Sequence, residues 1–129
     1  MTTPHPVRTR SVLSWALLID LICVVAFAAG GKSAHDGSST WWVIARIAWP
    51  YALACLVAHF VVWRRGADPQ QWRPAGFLIL GTTYVLGMVL RLLSGRGIAI
   101  GFLIVALVFL ALTMLGWRAL NAAWQTRRR

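Results

Sequence analysis

Glutamate is absent from the chain, and the only acids are three aspartates, Asp20, Asp36 and Asp68. Charged residues make up 12% of the 129 positions, against about 25% in an ordinary soluble domain. So little charge cannot furnish a water-exposed surface, which excludes a soluble globule and a charge-rich disordered chain alike. There are only two cysteines, Cys23 and Cys55, both inside apolar runs. This excludes a disulfide scaffold and a cysteine-built metal site, and leaves small core residues as their simplest role. The sequence has no P-loop, no GxGxxG after a strand, no HExxH and no CxxC, so the motifs that would announce a nucleotide, zinc or redox site are missing.

What is present is hydrocarbon: 59% of residues are hydrophobic and the mean hydropathy is +0.68. A bilayer core needs roughly 20 apolar residues per helix. Four runs qualify, at Ser11–Gly30, Trp42–Trp63, Ala75–Leu93 and Ile98–Trp117. The polar stretch Gly31–Trp41 separates the first pair. Gly66, Pro69 and Pro74 break the chain between the second and third runs, and Ser94-Gly95-Arg96-Gly97 turns it between the third and fourth. So short a turn makes the last two helices antiparallel neighbours. The expected architecture is all-α, an integral membrane four-helix bundle over 11–118, with a cytoplasmic N-terminal segment 1–10 and a basic amphipathic cytoplasmic tail 119–129.

The thirteen Lys+Arg give a formal net charge of +10. They lie between apolar runs and at the termini rather than on one polar face, which argues against nucleic acid as a partner and for membrane lipid. With the N-terminus inside, nine of them (Arg8, Arg10, Arg64, Arg65, Arg73, Arg118 and Arg127 to Arg129) face the cytoplasm. The positive-inside bias therefore predicts N-in/C-in in the cell (inner) membrane. Trp15, Trp63, Trp72 and Trp117 at the inner boundary, and Trp41 and Trp42 at the outer, match the aromatic belts. Arg8, Arg10 and Ala26-Phe27-Ala28 resemble a cleavable secretory signal. The long run interrupted by Asp20 favours an uncleaved first helix.

Ionisable groups at membrane depth cost on the order of 2.5–3.5 kcal/mol and require a partner or a purpose. Counted from Ser11, Asp20 lies about 13 Å in, near the midplane and level with Thr82, Thr83 and Tyr84, while Arg46 and Arg91 lie about 24 Å in. Pro50 cannot bond the Arg46 carbonyl, so a kink is expected there. Inward stripes are Ala16, Asp20, Cys23, Phe27 and Gly30 on the first helix, Ala45 to His59 on the second, and Leu80, Thr83, Gly87 and Arg91 on the third. Two readings follow. In the first, Asp20 hydrogen-bonds Tyr84 or Thr83, Arg46 and Arg91 snorkel to headgroups, and Asp20→Asn leaves folding and any transport intact. In the second, Asp20, Arg46, Tyr84 and Arg91 form an intramembrane polar site serving a proton-coupled path.

Ser33, His35 and Asp36 crowd one loop and cannot supply a triad from separate elements. His35 and Asp36 alone make a poor metal pair, and His59 reads as a packing residue. No catalytic, cofactor-binding or metal residues are therefore assigned, and no cofactor or enzyme activity is expected. Trp117, Leu120 and Trp124 share a face, which suggests that the last helix continues along anionic headgroups.

Several short motifs carry a resemblance: Asp20, Gly31-Lys32-Ser33-Ala34-His35, Trp49-Pro50, Trp72-Arg73-Pro74-Ala75-Gly76, Gly87-Met88 with Arg91, Gly95-Arg96-Gly97 with Ala99 and Phe102, and Leu115-Gly116-Trp117-Arg118. In this order, over Asp20 to Arg118, the chain resembles a family of small bacterial and archaeal multi-pass membrane proteins known only as a domain of unknown function, the DUF3054 type. Lys32 stands where that family is expected to carry arginine. The resemblance implies four helices and no assigned activity. The expected role is structural or accessory, as a homo-oligomer or with a membrane-protein partner. The alternative is a small oligomeric solute or proton-coupled transporter using the Asp20/Arg91 region.

Overall fold

The computed structural model describes residues 14–33, 40–97 and 99–128. The N-terminal segment 1–10 and the loop bearing His35 and Asp36 lie outside the described residues. Among the described residues there is no strand. The helices are α1 (Trp15–Ser33), α2 (Thr40–Arg64), α3 (Phe77–Leu93, entered through a π-helical turn at Trp72–Gly76) and α4 (Ile100–Arg127). The segments Trp41–Arg64, Pro74–Leu93 and Ile100–Arg127 are long and apolar enough to cross a membrane, while the apolar part of α1, Trp15–Gly30, is shorter.

Local chemistry sets the ends. Ser14 caps α1, its Oγ accepting the Leu17 amide at 3.3 Å, the ordinary bond from an N-cap hydroxyl to the third helical residue. Two helices close with glycine in the left-handed region, Gly66 at φ 70° after α2 and Gly95 at φ 85° after α3. At the second, the Gly95 amide bonds Leu92 O and the Arg96 amide bonds Arg91 O. That pair of bonds is a Schellman turn, which returns the residue after the glycine onto the last helical turn. α2 runs unbroken through Pro50.

The helices alternate in direction. Asp20 early in α1, His59 late in α2, Gly76 before α3 and Arg118 late in α4 meet at one end. Phe27, Ile47, Arg91 and Phe102 meet at the other. The core is built from small and aromatic residues. Ala48, Tyr51, Cys55, Ala58 and Val62 of α2 pack on Ile79, Leu80 and Met88 of α3 and on Leu17, Val24 and Phe27 of α1. Most of the inward stripes expected from spacing are buried, but Gly30 and Ala45 are exposed. The outward faces are apolar as well, with Ile22, Val85, Leu112 and Leu120 all exposed.

On α4 the buried residues are Ala106, Leu110, Met114 and Arg118. In a regular α-helix each four-residue step overshoots a full turn by about 40°, so Arg118 would have rotated roughly 120° off the face of Ala106. The π-helical turn Ala111–Leu115 adds about one residue and takes back nearly all of that rotation. Thr113 occupies the widened turn, where its Oγ1 donates to Phe109 O at 2.9 Å, occupying a carbonyl that the wider turn displaces from its usual partner. Residues 116–127 continue the same helix.

Candidate functional site

Three helices and one loop converge on Asp20, which is fully buried. Its Oδ1 accepts from Trp117 Nε1 and from Arg118 Nη1, both at 2.9 Å. Its Oδ2 accepts from His59 Nε2 at 2.7 Å and from Arg118 Nη2 at 2.5 Å. A carboxylate offers about four acceptor positions, and here all four are filled by donors. The site therefore satisfies the ionised form. His59 carries its proton on Nε2, because a carboxylate can only accept.

Arg118 is as buried as its partner. Besides the bidentate bond to Asp20, its Nη1 donates to Met114 O at 2.8 Å and its Nε to Pro69 O at 2.9 Å. The guanidinium also lies 4.4 Å from the centroid of the Trp117 ring. Buried ion pairs repay desolvation only when the remaining hydrogen-bonding capacity is also met, and this pair meets that condition. Gly76 is the residue that lets the arginine in, since a Cβ there would lie 2.9 Å from Arg118 Cδ and 3.1 Å from Gln71 O. The Trp-Arg-Pro-Ala-Gly motif thus ends in a backbone wall against the arginine stem.

The partners expected from sequence depth are not the observed ones. Tyr84 donates its hydroxyl to Leu103 O at 3.0 Å and does not reach Asp20. Thr83 is buried and its Oγ1 makes no hydrogen bond of good geometry among the described residues. The reason is where α1 begins. Its cap is Ser14, so Asp20 sits roughly 9 Å into the helix rather than 13 Å, beside the loop carrying Pro69. Arg118 and Trp117, expected as boundary residues on the cytoplasmic side, turn inward instead, and His59 is a carboxylate partner. Asp20→Asn can no longer be expected to leave folding intact, since its main partner is a buried cation. Arg46, Tyr84 and Arg91 do not join Asp20. Arg91 lies at the far end, where its guanidinium stands 4.1 Å from the Phe102 ring centroid and its Nε donates to Gly97 O at 3.3 Å.

Sequence reasoning passed over one further grouping. Cys55 and His59 sit four residues apart on α2, so they share a face, and with Asp20 they place three possible metal donors within 4.8 Å of one another. The geometry is that of hydrogen bonding. Metal–ligand bonds of about 2.0–2.2 Å would hold the His59 and Asp20 donor atoms farther apart than the observed contact, and Arg118 already occupies the carboxylate.

Thr83 gives a direct check on the packing. A buried hydroxyl without a partner costs about 1–3 kcal/mol, so Thr83→Val is expected to be neutral or to raise the midpoint of thermal unfolding in detergent. A clear fall in that midpoint would show that the hydroxyl is bonded.

A family model described as a protein of unknown function matches residues 17–121, a span that includes Asp20, His59 and Arg118. No curated protein and no solved structure matches.

Proposed function

The chain belongs to the DUF3054 family of proteins of unknown function, and on that premise we propose that it is a structural or accessory protein of the cell membrane. In this reading it spans the bilayer four times, with both termini in the cytoplasm. The observation that carries it is the saturated Asp20 cluster. An intramembrane relay needs a group with a vacant position to pass a proton onward. Here each acceptor position of the acid is filled by Trp117, His59 or Arg118, which favours a latch joining α1, α2 and α4. Asp20 and Arg91 lie at opposite ends, so the geometry gives no support to a shared transport site built from them.

The four-span reading is supported by the alternating helix directions and by the apolar outward faces. With Arg118 internal, eight basic residues remain at the cytoplasmic end in this orientation, and the positive-inside bias persists. Exposed Trp15, Trp41 and Trp42 fit the two interfacial belts. Among the described residues no catalytic constellation supports an enzyme. The contacts of the outward faces are with lipid and with a second copy or a membrane-protein partner.

Reporter fusions at the two ends test the topology, and both are expected to read cytoplasmic. Opposite compartments would overturn the four-span reading. Reconstituted into liposomes, the protein is expected to leave proton permeability at the level of protein-free vesicles. A protein-dependent proton flux would overturn the latch in favour of transport.

A further inference from the structure

At the end opposite Asp20 lies a second feature of different chemistry, a cavity of about 860 Å³ lined by residues of all four helices. That volume falls within the roughly 300–1,000 Å³ range of ligand clefts. Phe27, Phe102 and Phe109 form an apolar wall, with Phe27 5.8 Å from each of the other two rings. Arg91 and Arg96 line the same cavity. They are brought together by the Schellman turn, in which the Arg96 amide bonds Arg91 O at 3.2 Å. Phe102 and Gly97 O hold Arg91 through its ring contact and its Nε. Among the described residues its two terminal nitrogens have no acceptor. Burial and the like charges of Arg46 and Arg91 hold the Arg96 guanidinium below its usual value. The two described carboxylates, Asp20 and Asp68, are both at the other end. Two arginines thus line an apolar cavity, with Arg46 near enough to bear on Arg96, and among the described residues no carboxylate lies at this end.

We propose that this cavity binds a lipid carrying a phosphate monoester, with its hydrocarbon chain against Phe27, Phe102 and Phe109 and its phosphate on Arg91 and Arg96, with Arg46 alongside. The inference rests on the reading that the chain sits in a bilayer. Guanidinium groups suit phosphate because their planar fork bonds two oxygens at once. A phosphodiester brings a single negative charge, whereas a monoester carries about −1.5 to −2 near neutral pH and comes closer to balancing the two arginines that line the cavity. A free phosphate would meet the arginines but leave the aromatic cavity unfilled.

The test is native mass spectrometry of the full chain released from phosphatidylcholine nanodiscs doped with either dioleoyl phosphatidic acid or phosphatidylglycerol. Phosphatidic acid is expected to be retained over phosphatidylglycerol by up to about fivefold, the worth of one further charge pair at a membrane surface. Inorganic phosphate in excess should not displace it. The double variant Arg91→Gln/Arg96→Gln is expected to lose the preference. Gly101→Phe should lose retention with all three arginines in place, because Gly101 lines the cavity and has nothing within 4 Å of its added Cβ position. Equal retention of phosphatidic acid and phosphatidylglycerol overturns the proposal, as does full displacement by inorganic phosphate, which would make the site one for the free ion. Retention unchanged in Gly101→Phe overturns the cavity as the seat of the chain. A chain that stays monodisperse without detergent overturns the membrane reading itself. One that needs detergent yet retains phosphatidic acid no better than phosphatidylcholine overturns this inference alone.

Discussion

Asp20→Asn is expected to lower the stability of the bundle by about 3–5 kcal/mol, the usual cost of leaving one member of a buried ion pair without its partner. Asparagine has nearly the same shape as aspartate, so the loss comes from charge. Arg118 is fully buried, and its other acceptors are the neutral carbonyls of Pro69 and Met114. With the carboxylate gone, a guanidinium stays in a low-dielectric site. The amide that replaces the acid also directs one NH2 toward groups that are themselves donors. Unfolding followed by circular dichroism in detergent measures the effect. A variant within about 1 kcal/mol of the parent would mean that water or another anion reaches Arg118.

Gly87→Ala is the second large effect, an expected loss of about 1–3 kcal/mol from overpacking. An added Cβ would lie 2.5 Å from Tyr51 Cδ1 and 2.8 Å from Cε1. The ring has little room to retreat. Tyr51 is fully buried, Phe27 meets it edge-on at 5.3 Å, and its hydroxyl reaches Met88 Sδ at 3.3 Å. The methyl must therefore push α3 away from α2 along the most closely packed helix pair. Combining Gly87→Ala with Tyr51→Leu should recover part of the thermal midpoint, because the ring is the obstacle. Two substitutions whose losses simply add would show that α2 and α3 do not meet at this point.

The four helices were legible because their apolar lengths and their breaks at Gly66, Pro69, Pro74 and Gly95 are properties of composition. The inward faces were largely legible too, since Asp20, Cys55, Thr83 and Gly87 fall at helical spacing and are buried. The partners of Asp20 were not. Matching depths along ideal helices requires the right first residue, and the Ser14 cap shifts α1 by about a turn from a count begun at Ser11. Arg118 was hidden for a second reason. It follows the last apolar run in a basic segment, where cations ordinarily belong to the headgroups, and a π-helical turn that spacing does not reveal rotates it inward. One signal was available: the chain has a single acid in its apolar runs, and such a group needs a cation within reach of the same end. The outer arginines were visible individually, but the Schellman turn is what sets Arg96 beside Arg91.

A double-mutant cycle on Asp20→Leu and Arg118→Met in detergent decides whether Asp20 and Arg118 stabilise each other as an internal latch. Each single change is expected to destabilise strongly, because it strands one buried charge. The double variant should lose less than the sum of the two by a coupling of about 2–3 kcal/mol, within the range for contacting residues. Strictly additive losses would show that the two side chains do not depend on one another and that no latch joins them.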